Sequence, residues 1–128
     1  MKEIIHNPTD GIYPATADYV HGLEVVNPNR ILYVAGTMGL APDGSAPDTL
    51  ETQLEFIWRN IRRILASAGM TTDNIVRVTS YLRDASFASA NGAARERALG
   101  NRRVPTTAIV VQTLAPAWMV EIEVIAAA

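Results

Sequence analysis

Glu121 and Glu123 stand two residues apart in the run Met119-Val120-Glu121-Ile122-Glu123-Val124-Ile125-Ala126. Apolar and acidic residues alternate there, which predicts a strand. Residues at i and i+2 of a strand share one face. Two carboxylates side by side on a sheet repel, and burial raises the pKa of at least one. Two readings follow. Both acids lie on a solvated face, as charges on exposed strands commonly do, or one of them lines a polar pocket. In the second case the chemistry is that of a carboxylate in an apolar cleft, an acid–base group or a holder of water.

The other reactive residue types are sparse. His6 and His21 are the only histidines and belong to no ligand-spaced cluster, so no metal site is expected. His21 reads as a surface or edge histidine, sharing a strand face with Tyr19. The chain has no cysteine, which excludes disulfides, thiolate catalysis and cysteine-based metal sites. No serine sits in a nucleophile elbow, and the glycines form no phosphate-cradling loop, so no nucleotide cofactor is indicated. A formal net charge of -2 and a pI near 5.6 give no electrostatic footprint for nucleic acid. No apolar run reaches membrane-spanning length, and Met1-Lys2-Glu3-Ile4-Ile5-His6 is too short and too charged for a signal core. The expectation is a soluble cytoplasmic protein.

The elements that must position the two acids follow from pattern. The 128 residues, 48% of them apolar, fit one domain spanning 1–128. Ile4-Ile5 reads as a short edge strand, and residues 7–16 carry loop signals. Residues 19–26 and 30–36 read as strands, and Asn27-Pro28-Asn29 between them predicts a hairpin. Asp48 followed by Glu51 predicts a helix start, and an apolar stripe from Leu50 through Ile57, Ile61 and Leu65 continues to Gly69, a left-handed stop. Residues 75–83 alternate as a strand, with Val76, Val78, Ser80 and Leu82 on one face and Ile75, Arg77, Thr79 and Tyr81 on the other. Asp84 or Ser86 caps a second helix to about Leu99, and two strands follow, over 104–111 and 119–126. The order predicts an α+β fold, a mixed β-sheet with two helices packed on one face. The other face, left open, would be a large apolar patch, which predicts oligomerisation through it.

The chain also resembles the YjgF/RidA family, also called L-PSP or reactive-intermediate imine deaminases. The likeness rests on Tyr19-Val20-x-Gly22, Leu32-Tyr33-Val34-Ala35-Gly36, Ala66-x-Ala68-Gly69, the run Ile75 to Asp84, Phe87-x-x-x-Asn91 and the terminal Val-Glu-Ile-Glu-Val-Ile-Ala, in that order. The resemblance implies a chorismate-mutase-like fold, a barrel-cored homotrimer with pockets between subunits, and cofactor-independent hydrolysis of enamines or imines. It implies Glu121 as the catalytic, water-holding acid, with Tyr19, Gly36, Asn91 and Thr107 lining the substrate site. Two anchors depart from the family pattern. Thr107 stands where an arginine binds the substrate carboxylate, and Ala35 replaces a serine before the glycine. A bidentate guanidinium–carboxylate contact is strong and fixes geometry, so its loss argues against an ordinary 2-iminoacid deaminase. Arg102 and Arg103 either supply a substitute charge or form a solvated basic loop.

Two functions stay open on the sequence. One is an enzyme hydrolysing or tautomerising a small imine or enamine. The other is a non-catalytic trimeric small-molecule-binding or partner-stabilising protein, which needs the cleft but no catalytic group.

Overall fold

Leu54, Ile57, Trp58, Ile61 and Leu65 recur at helical spacing and form the buried stripe of α1 (Leu50–Ser67) in the computed structural model, which describes residues 1–128. Its N-cap is Thr49, whose hydroxyl accepts from Thr52 N, and not Asp48 one residue earlier. At the other end Met70 N donates to Leu65 O and Gly69 N to Ala66 O, both at 2.9 Å, with Gly69 at φ +68°. This is the Schellman stop that a glycine in the left-handed region allows. Asp84 caps a 3-10 turn (Ala85–Phe87) through Ser86 N, and α2 (Ala88–Leu99) follows it directly.

The strands are β1 (Lys2–His6), β2 (Gly22–Val26), β3 (Ile31–Met38), β4 (Ile75–Leu82), β5 (Thr106–Val110) and β6 (Val120–Ala127). Four of them form a mixed sheet in the order β3-β6-β4-β5, with β4 and β5 parallel and the other pairs antiparallel. β6 therefore runs in the middle, and its neighbours are β3 and β4, not the preceding β5. The predicted hairpin between the second and third strands does not form. β2 pairs antiparallel with β1, in a separate two-stranded sheet. Asn27 takes a positive φ at the end of β2, and the chain then turns away into the larger sheet. Residues 19–21 lie outside β2, so Tyr19 and His21 share no strand face.

Both helices cover the same side of the four-stranded sheet. Val120, Ile122, Val124 and Ala126 of β6 pack there with the α1 stripe and with Ala94, Ala98 and Leu99 of α2, all in one buried cluster. Two irregularities modify the alternation. In β4, Ile75 pairs with Ala126 and Arg77 with Ile125, so Val76 is an extra residue and Ile75 joins the core face. In β3, Val34 opposes Val124 and Thr37 opposes Ile122, so Ala35 and Gly36 together face Glu123. Such bulges bend a strand and re-aim its side chains. Glycine is required at Gly39 too, because a Cβ there would meet the Gln53 backbone of α1.

The loop before β2 is tied to α2 by an ion pair. Asp18 Oδ2 accepts from Arg95 Nη2 at 2.5 Å, and Arg95 is buried. The Thr16 hydroxyl, with Arg95 in support, holds the Asp18 carboxyl below its ordinary range against the opposing effect of burial. Its stabilisation is therefore present above the ordinary carboxylate value and lost as pH falls through the lower value of the folded chain. Asp18→Asn is expected to cost about 1–3 kcal/mol at neutral pH, by leaving a buried guanidinium without its counter-charge. Thermal melts at neutral and acid pH check both statements, since the gap between wild type and variant should close in acid.

Candidate functional site

Alternation along β6 sends Val120, Ile122 and Val124 into the helix-covered core and Glu121, Glu123 and Ile125 to the opposite, open face. Register places Arg77, Thr79 and Tyr81 of β4 beside them, and Thr107 and Ile109 of β5 beyond. The acids thus lie on a sheet face that no element of the chain covers.

The two carboxylates differ in what they touch. Glu123 Oε1 accepts from the Tyr81 hydroxyl at 2.5 Å. That bond, then burial and the nearby negative charges, push the Tyr81 phenol above its ordinary pKa, against the weaker opposing effect of Arg77. Glu121 takes part in no hydrogen bond or ion pair within the chain. Its carboxyl group lies against the backbone of the β3 bulge. A Cβ on Gly36 would come within 2.8 Å of Glu121 Cδ, a contact that real side chains do not make. The glycine is therefore needed for the acid itself. Gly36, Tyr81, Glu121, Glu123 and the segment 111–114 line a hollow of about 230 Å³.

That segment is held in place by residues that sequence pattern did not single out. Arg83 Nη1 donates to Thr113 O and Thr113 Oγ1, and Thr113 Oγ1 donates to Trp118 O. The buried Gln53 amide of α1 donates to Pro47 O and Ala117 O and accepts from Met119 N. A buried amide with all these partners met is a strong local constraint. Leu114, at the tip, is 93% exposed.

The remaining expected site residues are dispersed. Tyr19 stands in the loop before β2, edge-on to His21, whose Nε2 donates to Tyr13 O at 2.9 Å. Asn91 is buried on α2, and its Oδ1 has no partner in the chain. Neither lines the Glu121 hollow within one chain. Thr107 lies on the open face, and its hydroxyl accepts from Arg77 Nη2 at 2.9 Å. Arg102 is spent elsewhere, donating to Ile75 O at 2.7 Å and reaching Glu3 at 3.4 Å, and Arg103 is exposed. The cation beside Thr107 is thus Arg77 of β4, which shares its face of the sheet and is not one of the expected anchors. Its closeness to Thr107 follows from the parallel pairing of β4 with β5, a strand order that local pattern does not encode.

The family described as Endoribonuclease L-PSP matches residues 11–128. The chain belongs to this L-PSP family, the YjgF/RidA group. A relative called putative regulator AldR, from Lactococcus lactis, is 32% identical over 114 residues, covering 88% of each chain. Three other curated relatives match more locally, and the chain spans about half of their length or less, between 41 and 50%. Among solved structures, a Rid-family protein of unknown function from Yersinia pestis superposes over the whole of both chains with a TM-score of 0.82, at 22% identity. The Mycobacterium tuberculosis YjgF/YER057c/UK114 family protein Rv2704 gives 0.69 at 29% identity, over 86% of each chain. The mixed sheet with two helices on one side is the L-PSP arrangement. No helix of the chain is long and apolar enough to cross a membrane.

Proposed function

We propose that this L-PSP chain is the protomer of a trimeric enzyme that hydrolyses or tautomerises a small imine or enamine without a cofactor, with Glu121 as its acid–base group. The observation that carries the reading is the Glu121 carboxylate, unengaged by the chain and set over Gly36 in a hollow with Tyr81 and Glu123. A free carboxylate can hold a water, accept its proton and return it. In hydrolysis the water oxygen bonds to the imine carbon while Glu121 takes a water proton, and the C=N electron pair passes to nitrogen. Glu121 returns that proton to nitrogen, giving a carbinolamine; the carboxylate then takes the hydroxyl proton and passes it to nitrogen as the carbon–nitrogen bond breaks, so that ammonia leaves and a carbonyl forms. In tautomerisation the same carboxylate moves one proton between carbon and nitrogen.

The open sheet face supports assembly. Tyr33 is 73% and Ile109 47% exposed on it, beside the acids. Buried against further copies, such apolar area would be removed from water, and the hollow would become a cleft between subunits. Sedimentation or light scattering at micromolar concentration is expected to give three times 13.9 kDa. A stable monomer would remove the cleft.

Imines of ordinary amino acids are expected to be poor substrates, because the neutral Thr107 stands where a guanidinium would grip a carboxylate one bond from the reacting carbon. An amino-acid oxidase generating the imine in situ, with ammonia release followed against the uncatalysed rate, decides the matter. Strong acceleration would show that another cation reaches that carboxylate.

A further inference from the structure

Tyr81 of β4 stands directly opposite Glu121 of β6 in the antiparallel register. Side chains so placed start about 5 Å apart on one face of the sheet. The phenol does not bond to Glu121. It crosses to the diagonal neighbour, Glu123, and donates to its Oε1 at 2.5 Å. The one proton of the Tyr81 hydroxyl is thereby committed, and its lone pairs accept from no group of the chain. The direction of this bond is fixed. An ionised carboxylate only accepts, and the bond to it pushes the phenol above its ordinary pKa, so the proton stays on Tyr81.

Three groups converge at this point of the face. The Glu121 carboxyl lies against Gly36, the bulge that contains Gly36 faces Glu123, and the Tyr81 hydroxyl arrives at Glu123. All four residues line the hollow of about 230 Å³. Glu121 and Tyr81 both present acceptors to it, and neither is met by a donor of the chain. A molecule lying between them must bring a donor to each, and water brings two.

We infer that Tyr81, its proton held by Glu123, is a positioning residue for the attacking water, which donates one hydrogen to Glu121 and the other to Tyr81 Oη. The inference rests on the hydrolysis proposed at Glu121. With both hydrogens engaged, the lone pairs of the water point away from the two acceptors, toward the substrate carbon. Held by Glu121 alone, the water would swing about a single bond, and a near-attack geometry would be rarer. In the attack the oxygen bonds to the imine carbon, Glu121 takes the hydrogen it already accepts, and the C=N electron pair passes to nitrogen. Tyr81 keeps the other hydrogen in its bond until the carbinolamine hydroxyl turns to Glu121 for the second proton transfer. Glu123 acts through the phenol. Without it the Tyr81 hydroxyl would be free to donate to the water and tie up the lone pair that must attack. Tautomerisation at Glu121 uses no water, so Tyr81 has no part in it.

High-resolution crystal structures of the intact assembly test the site without turnover. Wild type and Glu123→Gln, which keeps an acceptor for the phenol, are expected to hold a water within hydrogen-bond distance of both Glu121 and Tyr81 Oη. Tyr81→Phe should lose or displace it. Rates test the role, with the aldimine that a flavin amine oxidase generates from 2-phenylethylamine as probe. Tyr81→Phe is expected to slow its hydrolysis about ten- to a hundredfold through kcat, the effect of one hydrogen bond needed in the reacting geometry, with KM little changed. Glu123→Leu should approach this loss, Glu123→Gln should not, and Tyr81→Phe with Glu123→Leu should be little slower than Tyr81→Phe alone. Tautomerisation, read as deuterium uptake at the carbon next to C=N above the uncatalysed rate, should survive in Tyr81→Phe. A Tyr81 oxygen that accepts from a donor of a neighbouring subunit, or no water bridging to Glu121, overturns the inference. So does wild-type hydrolysis in Tyr81→Phe, or an equal loss of hydrolysis and tautomerisation, which would make the phenol a structural group. A bridging water in a wild type that turns over no imine would instead sink the reaction proposed at Glu121, and the role of Tyr81 with it.

Discussion

Glu121→Gln is expected to abolish turnover of whatever imine or enamine the protein accepts, while the fold and its assembly survive. Glutamine keeps the shape and the hydrogen-bonding reach of the side chain and removes the proton it must exchange. General acid–base catalysis contributes about 10²- to 10⁴-fold, and the rate should fall by that order. The neighbouring acid gives the control. Glu123 is bonded to Tyr81, and its substitution by glutamine keeps an acceptor for the phenol. Glu123→Gln is therefore expected to be the milder change. Steady-state rates for both variants, with molar mass by light scattering, make the comparison. The reverse ranking would displace the reaction from Glu121, and equal small effects would favour binding without turnover.

Gly36→Ala is expected to lower the rate on the order of a hundredfold with little effect on stability. The added methyl would be 2.8 Å from Glu121 Cδ and would force the carboxylate off the bulge. Because the obstacle is the far end of a flexible side chain, the fold can absorb the change by moving Glu121. A displacement of about 1 Å in a catalytic group is enough for a loss of this size. The double variant Gly36→Ala with Glu121→Gln should be no slower than Glu121→Gln alone, since both act on the same carboxylate. A thermal melt within a few degrees of wild type, with the rate loss, completes the test. An unaltered rate would show that the carboxylate works from another position.

Much of the fold was legible because period alone reports it. The α1 stripe, the Gly69 stop and the alternation of β6 each encode a local geometry, and each stands where the pattern puts it. Pairing was not legible. Asn27-Pro28-Asn29 is turn chemistry, yet β2 turns toward β1, because a turn signal fixes where the chain bends and not which strand it meets. Strict alternation puts Ile75 on the face of Arg77 and Tyr81, but it lies in the core because Val76 is an extra residue. The same limit governs the site. The pairing of Tyr81 with Glu123 spans 42 residues and that of Arg77 with Thr107 spans 30, so neither leaves a local signature. Both depend on β4 lying between β5 and β6.

The β3 bulge carries a consequence for chain length. Before it, Val34 faces the helices and Tyr33 the open side; after it, Thr37 takes the helix side, so the odd and even positions exchange roles within one strand. Were Gly36 deleted, plain alternation would return, and one half of the strand would have to turn over. Ile31 and Tyr33 would enter the helix layer, and Leu32 and Val34 would leave it. A relative with one residue fewer between the positions of Val34 and Thr37 must present a different inner surface here. For this strand, the number of residues is as much a determinant of the core as their identity.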